Sequence, residues 1–271
     1  MALSRRLRKP FRRLRIPAAL KRVTDALAGG IPIRIRSGVN AGMRWSLASA
    51  GSGYGSGRRA ARQMELIAGL VRRGDVVWDV GAHHGYVTLC AARRAGEHGE
   101  VHAFEPSARS CRFLERHVEW NELRNVRIHP FALSSFDGQA RLGGGSTSKQ
   151  HTLGAVGEPV NVRRAVTLIE SGACSVPEFI KIDIEGAEAD LLRDALPALG
   201  AGVRLLVAIH SAELCVACRE ALVKAGYRVV VSARARACLR GHWRGDADLF
   251  CFGPAFGEAE RDLEVLERAG F

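Results

Sequence analysis

The chain has 271 residues and a mass of 29.3 kDa, enough for one large domain or one domain with a small appendage. At 47% hydrophobic and 25% charged it has the composition of a soluble globular protein, which excludes fibrous and wholly disordered classes. No apolar window of about 18 residues is present to form a transmembrane helix.

The net charge of +12 is unevenly spread, because residues 1–22 hold nine of the 40 Lys+Arg and no acid. The remaining 249 residues carry only +3, so the body gives no electrostatic support for a nucleic-acid-binding face, and no nucleic-acid partner is expected. Residues 1–30 read as a basic arm, partly disordered or helical. Leu3, Leu7, Phe11 and Leu14 would share a helical face, but Pro10 and Pro17 interrupt it. Three readings stay open for the arm: a solvated extension, a peripheral contact with anionic membrane, and an Arg-rich targeting peptide. Residues 18–28 suggest a short helix stopped by Gly29-Gly30.

Ile31, Ile33 and Ile35 alternate with Pro32, Arg34 and Arg36, which is a strand period, and residues 43–47 return as a second strand. Residues 49–57 are Gly and Ser with Ala50, and Tyr54 is the only large side chain, which suits a linker or a lid. From residue 58 strands alternate with helices of about 10–15 residues. Helices are expected at 58–72, 86–95, 107–122, 187–196 and 214–225. Strands are expected at 76–80, 100–104, 125–129, 160–168, 179–184, 203–209, 227–231 and 248–252. This alternation argues for a doubly wound α/β sheet with its strand-to-helix loops on one edge, where ligands bind. The domain is expected over 31–256, hairpin included, with a helical tail at 257–271.

The segment Val76-Val77-Trp78-Asp79-Val80-Gly81-Ala82-His83-His84-Gly85-Tyr86 joins the first strong strand to a helix. Gly81 permits a sharp turn, and Gly85 permits close approach of a ligand to the free N–H groups of the helix start. Its Gly-x-x-x-Gly spacing differs from that of pyrophosphate binders. Asp79 would repel a pyrophosphate but suit an amine, directly or through water. Glu105, in Phe104-Glu105-Pro106, ends the second strand, where an acid can accept both hydroxyls of a ribose. An acid for an amine and an acid for a ribose suggest S-adenosylmethionine. The competing readings make Asp79 a helix cap and Glu105 a surface acid.

These pieces, followed by Asn121-Glu122-Leu123-Arg124-Asn125-Val126, Ala132-Leu133-Ser134 and Lys181-Ile182-Asp183-Ile184-Glu185-Gly186-Ala187-Glu188, resemble the FkbM family of S-adenosylmethionine-dependent methyltransferases. The resemblance runs from about residue 55 to 252. It implies a class I methyltransferase (Rossmann-like) fold of seven strands whose last strand, 248–252, is antiparallel. It also implies O-methylation, often of sugar or polyketide hydroxyls. The cofactor site it implies comprises Asp79, Gly81, Ala82, His83, Gly85, Tyr86, Glu105 and Ala132. The chain departs from the family pattern at His83-His84, where Asn-Ile is usual, at Ala208, where Glu is usual, and at Arg58 and Arg59 after Gly57.

Methyl transfer from a sulfonium is an in-line displacement, so the enzyme aligns the acceptor and removes its proton where needed. Asp183, at the end of the fourth strand, would orient the acceptor, take its proton or hold a cation; the competing reading is a helix cap. His210 ends the fifth strand on the same edge, and a neutral imidazole there would serve as base. Glu185 and Glu188 read as first-turn helix acids, and no metal site is assigned. Cys215-x-x-Cys218, Cys90 and Cys111 read as buried structural thiols in a reducing, cytoplasmic compartment. Residues 143–151 read as a surface loop or a substrate lid offering Lys149 and His151. The leading function is O-methylation of a glycan or other small hydroxylated metabolite. Its rivals are a nucleic-acid methyltransferase tethered by the arm and a non-catalytic S-adenosylmethionine-binding protein.

Overall fold

The computed structural model describes residues 23, 25, 27–58, 60–143, 153–154, 156–243, 245–255, 259–268 and 271. The basic arm before residue 23 and the polar pair Lys149 and His151 lie outside these residues. Within 23–28 the described positions are helical, and Asp25 holds Arg109 through a bond of 2.8 Å to Nη2.

Strands β1 (Pro32–Arg34) and β2 (Arg44–Ser46) form the expected antiparallel hairpin. Its inward residue Trp45 is fully buried, and its backbone is tied to the main domain. The Ser46 N–H donates to His117 Nε2 at 2.9 Å, and Asn40 Nδ2 donates to the Tyr86 carbonyl at 2.7 Å. The glycine-rich segment after it has defined structure. Gly51–Gly53 is a 3-10 turn, and Tyr54 stacks on Trp45 at 5.6 Å and meets Tyr86 edge-on at 5.0 Å.

The main domain then follows in order: α1 (Ala61–Leu70), β3 (Val76–Val80), α2 (Tyr86–Ala95), β4 (Glu100–Phe104), α3 (Ala108–Trp120) and β5 (Val126–His129). Next come β6 (Ala132–Ser134), β7 (Gly138–Leu142), β8 (Leu153–Gly154), β9 (Glu158–Arg164) and α4 (Ala165–Glu170). The last part holds β10 (Phe179–Ile182), α5 (Glu188–Ala195), β11 (Arg204–Ile209), α6 (Ala212–Lys224), β12 (Arg228–Val231), α7 (Ala233–Leu239), β13 (Ala247–Phe252) and α8 (Ala259–Arg268).

Seven strands make the main sheet in the order β12-β13-β11-β10-β3-β4-β5. All neighbours are parallel except β13, which runs antiparallel between β11 and β12. This is the inserted antiparallel strand implied for the class I methyltransferase fold. Strands β10 and β11 are buried along their whole length, as parallel strands covered on both faces must be. The strand order reverses direction at β3 and β10, which puts the ligand edge at their C-terminal ends.

A second sheet of order β6-β9-β7-β8 was not anticipated as a unit. The strand expected over 160–168 divides at Arg164 into β9 and α4. The tail helix α8 packs on α1, where Val265 lies under Gly69. Beneath it, fully buried Asp262 faces Arg72 at 3.3 Å and Arg204 at 4.0 Å. Arg204 is itself buried and bonds Asp75 at 2.7 Å. Cys90, Cys111, Cys215 and Cys218 are all buried.

Candidate active site

A cavity of about 450 Å³ opens at the C-terminal ends of β3, β4, β10 and β11. Gly81, His83, Glu105, Ala132, Asp183 and His210 all line it. Of the other expected residues, Ala82 and Gly85 shape the loop without lining the cavity, and Tyr86 turns toward the hairpin aromatics. Asp79 lies fully buried beneath the loop.

The loop geometry follows from its residues. Gly81 has φ +85° and Gly85 φ +89°, both in the left-handed region that glycine enters freely. A methyl group on Gly81 would collide with the Asp183 carbonyl oxygen, so the first loop closes directly onto the end of β10. His83 is held at φ +51° without that freedom. Its N–H donates to Glu105 Oε2 at 2.7 Å, while the Ser107 N–H donates to Oε1 at 2.8 Å. Glu105 therefore ties the β3 loop to the start of α3. Burial pushes its carboxyl up to about 7, against the lowering effect of those two N–H donors.

Each Glu105 oxygen keeps further acceptor capacity, as a pair of ribose hydroxyls would require. Asp79 Oδ2 accepts from Thr88 Oγ1 at 2.6 Å, whereas Oδ1 has no hydrogen-bond donor among the described residues. Burial raises its carboxyl pKa, and the Lys181 charge partly offsets this. Asp79 thus braces the helix start through Thr88 and does not reach the cavity, in place of the amine contact expected from the sequence. The glycine turn and the ribose-type acid Glu105 are the features that fit S-adenosylmethionine.

In the same cavity, Asp183 and His210 meet, with Nε2 donating to Oδ1 at 3.1 Å. His210 Nδ1 donates to Glu188 Oε1 at 2.7 Å, and Glu185 Oε2 stands 3.8 Å from Nε2. Burial disfavours the imidazolium, but the bonds to Asp183 and Glu188 and the nearby Glu185 overcome it and raise His210 to about 10. These carboxylates favour the imidazolium of His210 over the neutral imidazole expected from the sequence. Burial opposes ionisation of Asp183, but Lys181, 2.6 Å from Oδ2, and His210 keep it an anion well below the usual carboxylate range.

Glu188 is fully buried, and its second oxygen accepts the Gly186 N–H at 2.9 Å. It orients His210, a role hidden by its place in the first turn of α5. Gln63 and Asp248 were also missed; they bond at 3.0 Å across 185 positions of sequence and line the same cavity. Arg234 of α7 completes that wall. Asp183, Glu185 and His210 bring their ligand atoms within 4.8 Å of one another, close enough to hold a cation if the imidazole gave up its proton.

The profile of the methyltransferase FkbM domain matches residues 79–229, which contain the loop, Glu105, Asp183 and His210. The chain belongs to the FkbM family of S-adenosylmethionine-dependent methyltransferases. It is 28% identical over 145 residues to the hexuronic acid methyltransferase AglP of Haloferax volcanii, a match covering 51% of this chain and 56% of that one. The chain thus spans little more than half the length of that relative. Among solved structures it is similar to precorrin-6y C5,15-methyltransferase from Geobacter metallireducens, at 13% identity and TM-score 0.47, covering 72% of this chain and 89% of the other. It is also similar to a protein from Klebsiella pneumoniae described as an O-methyltransferase, at 16% identity and TM-score 0.45, covering 72% and 81%. Among the described residues, no helix is long and apolar enough to cross a membrane.

Proposed function

We propose that the protein transfers the methyl group of S-adenosylmethionine to an oxygen of a sugar or related small metabolite. The observation that carries this reading is the convergence on one cavity of Glu105 and the Asp183–His210 pair. Glu105 and the Gly81–Gly85 turn would hold the ribose and amino-acid parts of the cofactor. The sulfonium supplies an electrophilic methyl group, and the chain supplies alignment. Asp183, kept anionic by Lys181, would accept a hydrogen bond from the acceptor hydroxyl, orient its lone pair, and pass its proton to solvent as the oxygen–methyl bond forms and the sulfur–methyl bond breaks. His210 fixes the carboxylate, and Glu188 fixes His210.

A second reading has a specific observation behind it. Both ring nitrogens of His210 are taken by Asp183 and Glu188, which makes it a poor base for a neutral hydroxyl, and Arg234, lining the same cavity, offers a positive charge to an anionic acceptor. A uronic acid carboxylate needs no deprotonation before attack, and the similarity to a hexuronic acid methyltransferase points the same way. Paired assays with labelled S-adenosylmethionine, using neutral sugars and the matching uronic acids, separate the two readings. Alkali-labile label on the uronic acid alone supports the carboxylate, and stable label on both supports a hydroxyl. Absence of transfer to any sugar overturns the sugar assignment.

A further inference from the structure

On the far side of β4 from the hairpin, three potential metal ligands from three segments converge. His102 lies within β4, His129 ends β5, and Cys174 sits in the connection before β10. His102 Nδ1 and His129 Nε2 are 2.9 Å apart, and Cys174 Sγ lies 3.7 Å from the same His129 nitrogen. All three ligand atoms fall within 4.8 Å of one another. His102 is fully buried and Cys174 is 3% exposed, while His129 is half-buried and opens toward solvent.

We propose that His102, His129 and Cys174 form a zinc site, with solvent in the fourth position. Bonds of about 2.0 Å to nitrogen and 2.3 Å to sulfur in a tetrahedron put two nitrogens roughly 3.3 Å apart and nitrogen and sulfur roughly 3.6 Å apart. The cluster is therefore within a few tenths of an ångström of that arrangement along both measured edges. Two imidazoles and a thiolate suit zinc, whereas magnesium and calcium prefer oxygen.

The surroundings strengthen the assignment. On the other side of its ring, His102 Nε2 faces Glu100 Oε1 at 3.4 Å. That carboxylate is fixed by Arg127 at 2.7 Å and Ser175 at 2.9 Å. A carboxylate behind a ligating imidazole holds the proton on the outer nitrogen and turns the inner lone pair to the metal. Phe104 stacks on both rings, and Trp78 lies against His102, which supplies an apolar wall. Zinc binding would displace the Cys174 thiol proton to solvent and form the Zn–S bond without any redox step.

The site lies behind the cofactor wall, since the His129 carbonyl accepts the Glu105 N–H at 3.1 Å. Bound metal would pin the 172–178 connection to β4 and β5 and so steady the strand ends that carry Glu105.

The test uses the full chain, stripped with chelator and titrated with Zn²⁺ alone and separately with Co²⁺ alone. The expected result is stoichiometric zinc, a zinc-dependent rise in melting temperature, and a thiolate-to-cobalt charge-transfer band with tetrahedral cobalt absorption. Cys174→Ser should lose the band and the thermal shift. Glu100→Gln, altered at the rim, should keep the band while weakening zinc by roughly 10–100-fold, and it reads out the site even if Cys174→Ser fails to fold. A cobalt spectrum lacking the thiolate band would overturn the proposal, since it would place the metal on the sulfur-free Asp183–Glu185–His210 group. Zinc affinity unchanged in both variants would overturn it equally.

Discussion

At the scale of single residues, Glu105 and His210 titrate in different pH windows. Burial raises the folded pKa of Glu105 to about 7, above its ordinary value of 4.5. The folded state then holds a proton that the unfolded state releases first. Stability from this group falls as pH rises from about 4.5 to about 7 and is flat above. Thermal melts of wild type and Glu105→Ala across that range should show the difference, and equal slopes would remove Glu105 from the titration. Calorimetry at neutral pH should find S-adenosylmethionine bound more weakly by roughly 1.5–3 kcal/mol in Glu105→Ala, because charged hydrogen bonds to the ribose are lost. His210 has the same sign in a higher pH window, from a different cause: attraction to carboxylates rather than burial. Its folded pKa, about 10, is above the ordinary 6.5, so its contribution is full below about 6.5 and disappears as pH rises through about 10. Wild type and His210→Ala should therefore differ most in stability at about pH 6 and converge in alkali. Single-turnover methyl transfer by wild type should show no inflection near 6.5. A clear loss of rate on acidification through that value would restore the neutral base.

At the scale of elements, the strand–loop–helix around Gly81 was legible because glycine, acid and apolar run occur within eleven consecutive residues. Glu105 was legible for a related reason: a strand's end fixes where its last side chain goes. Glu188 was not, since a first-turn glutamate reads the same whether it faces solvent or a histidine 22 positions on. The second sheet was hidden because its strands are as short as two residues and its β6–β9 pairing joins segments 30 positions apart. Residues 49–57 misled in another way: composition suggested a loose segment, yet Tyr54 packs between Trp45 and Tyr86. The tight seam between the first loop and β10 gives a sharp test. Gly81→Ala places a methyl group against the Asp183 carbonyl and forces alanine into φ +85°. Overpacking and left-handed strain of roughly 1–3 kcal/mol are expected, with cofactor affinity lost beyond what stability explains. Denaturant melts and calorimetry on the same sample check this; a variant with wild-type affinity would show that the seam is dispensable.

At the scale of the whole molecule, the doubly wound sheet followed from the element pattern, and its seven strands with the last antiparallel from the family resemblance, whereas the strand order and the attachment of the C-terminal helix did not. That helix is held partly by charge: Asp262 meets Arg72 and, at longer range, Arg204, which is already paired with Asp75. Removing one member of a buried ionic cluster leaves the others poorly compensated. Asp262→Ala should thus cost roughly 3–5 kcal/mol in urea unfolding; a cost below about 1 kcal/mol would mean that water replaces it freely. The basic arm makes a separate prediction, from sequence alone. Deleting residues 1–22 should leave cofactor affinity unchanged and abolish sedimentation with anionic vesicles at low salt. Full-length protein that ignores such vesicles would end the membrane reading.

The bond between Gln63 and Asp248, two residues lining the cavity, has a consequence for the order in which the protein comes into being. Gly81 and Glu105 line that cavity, as do Asp183 and His210, and Asp248 comes after both pairs in the chain. During synthesis from the N-terminus, a chain halted near residue 150 holds Gly81 and Glu105 but lacks β10, onto whose end the Gly81 turn closes, so no part of the cavity is complete at that stage. The cavity assembles only once β13 has slotted between β11 and β12, a late event joining distant parts of the chain.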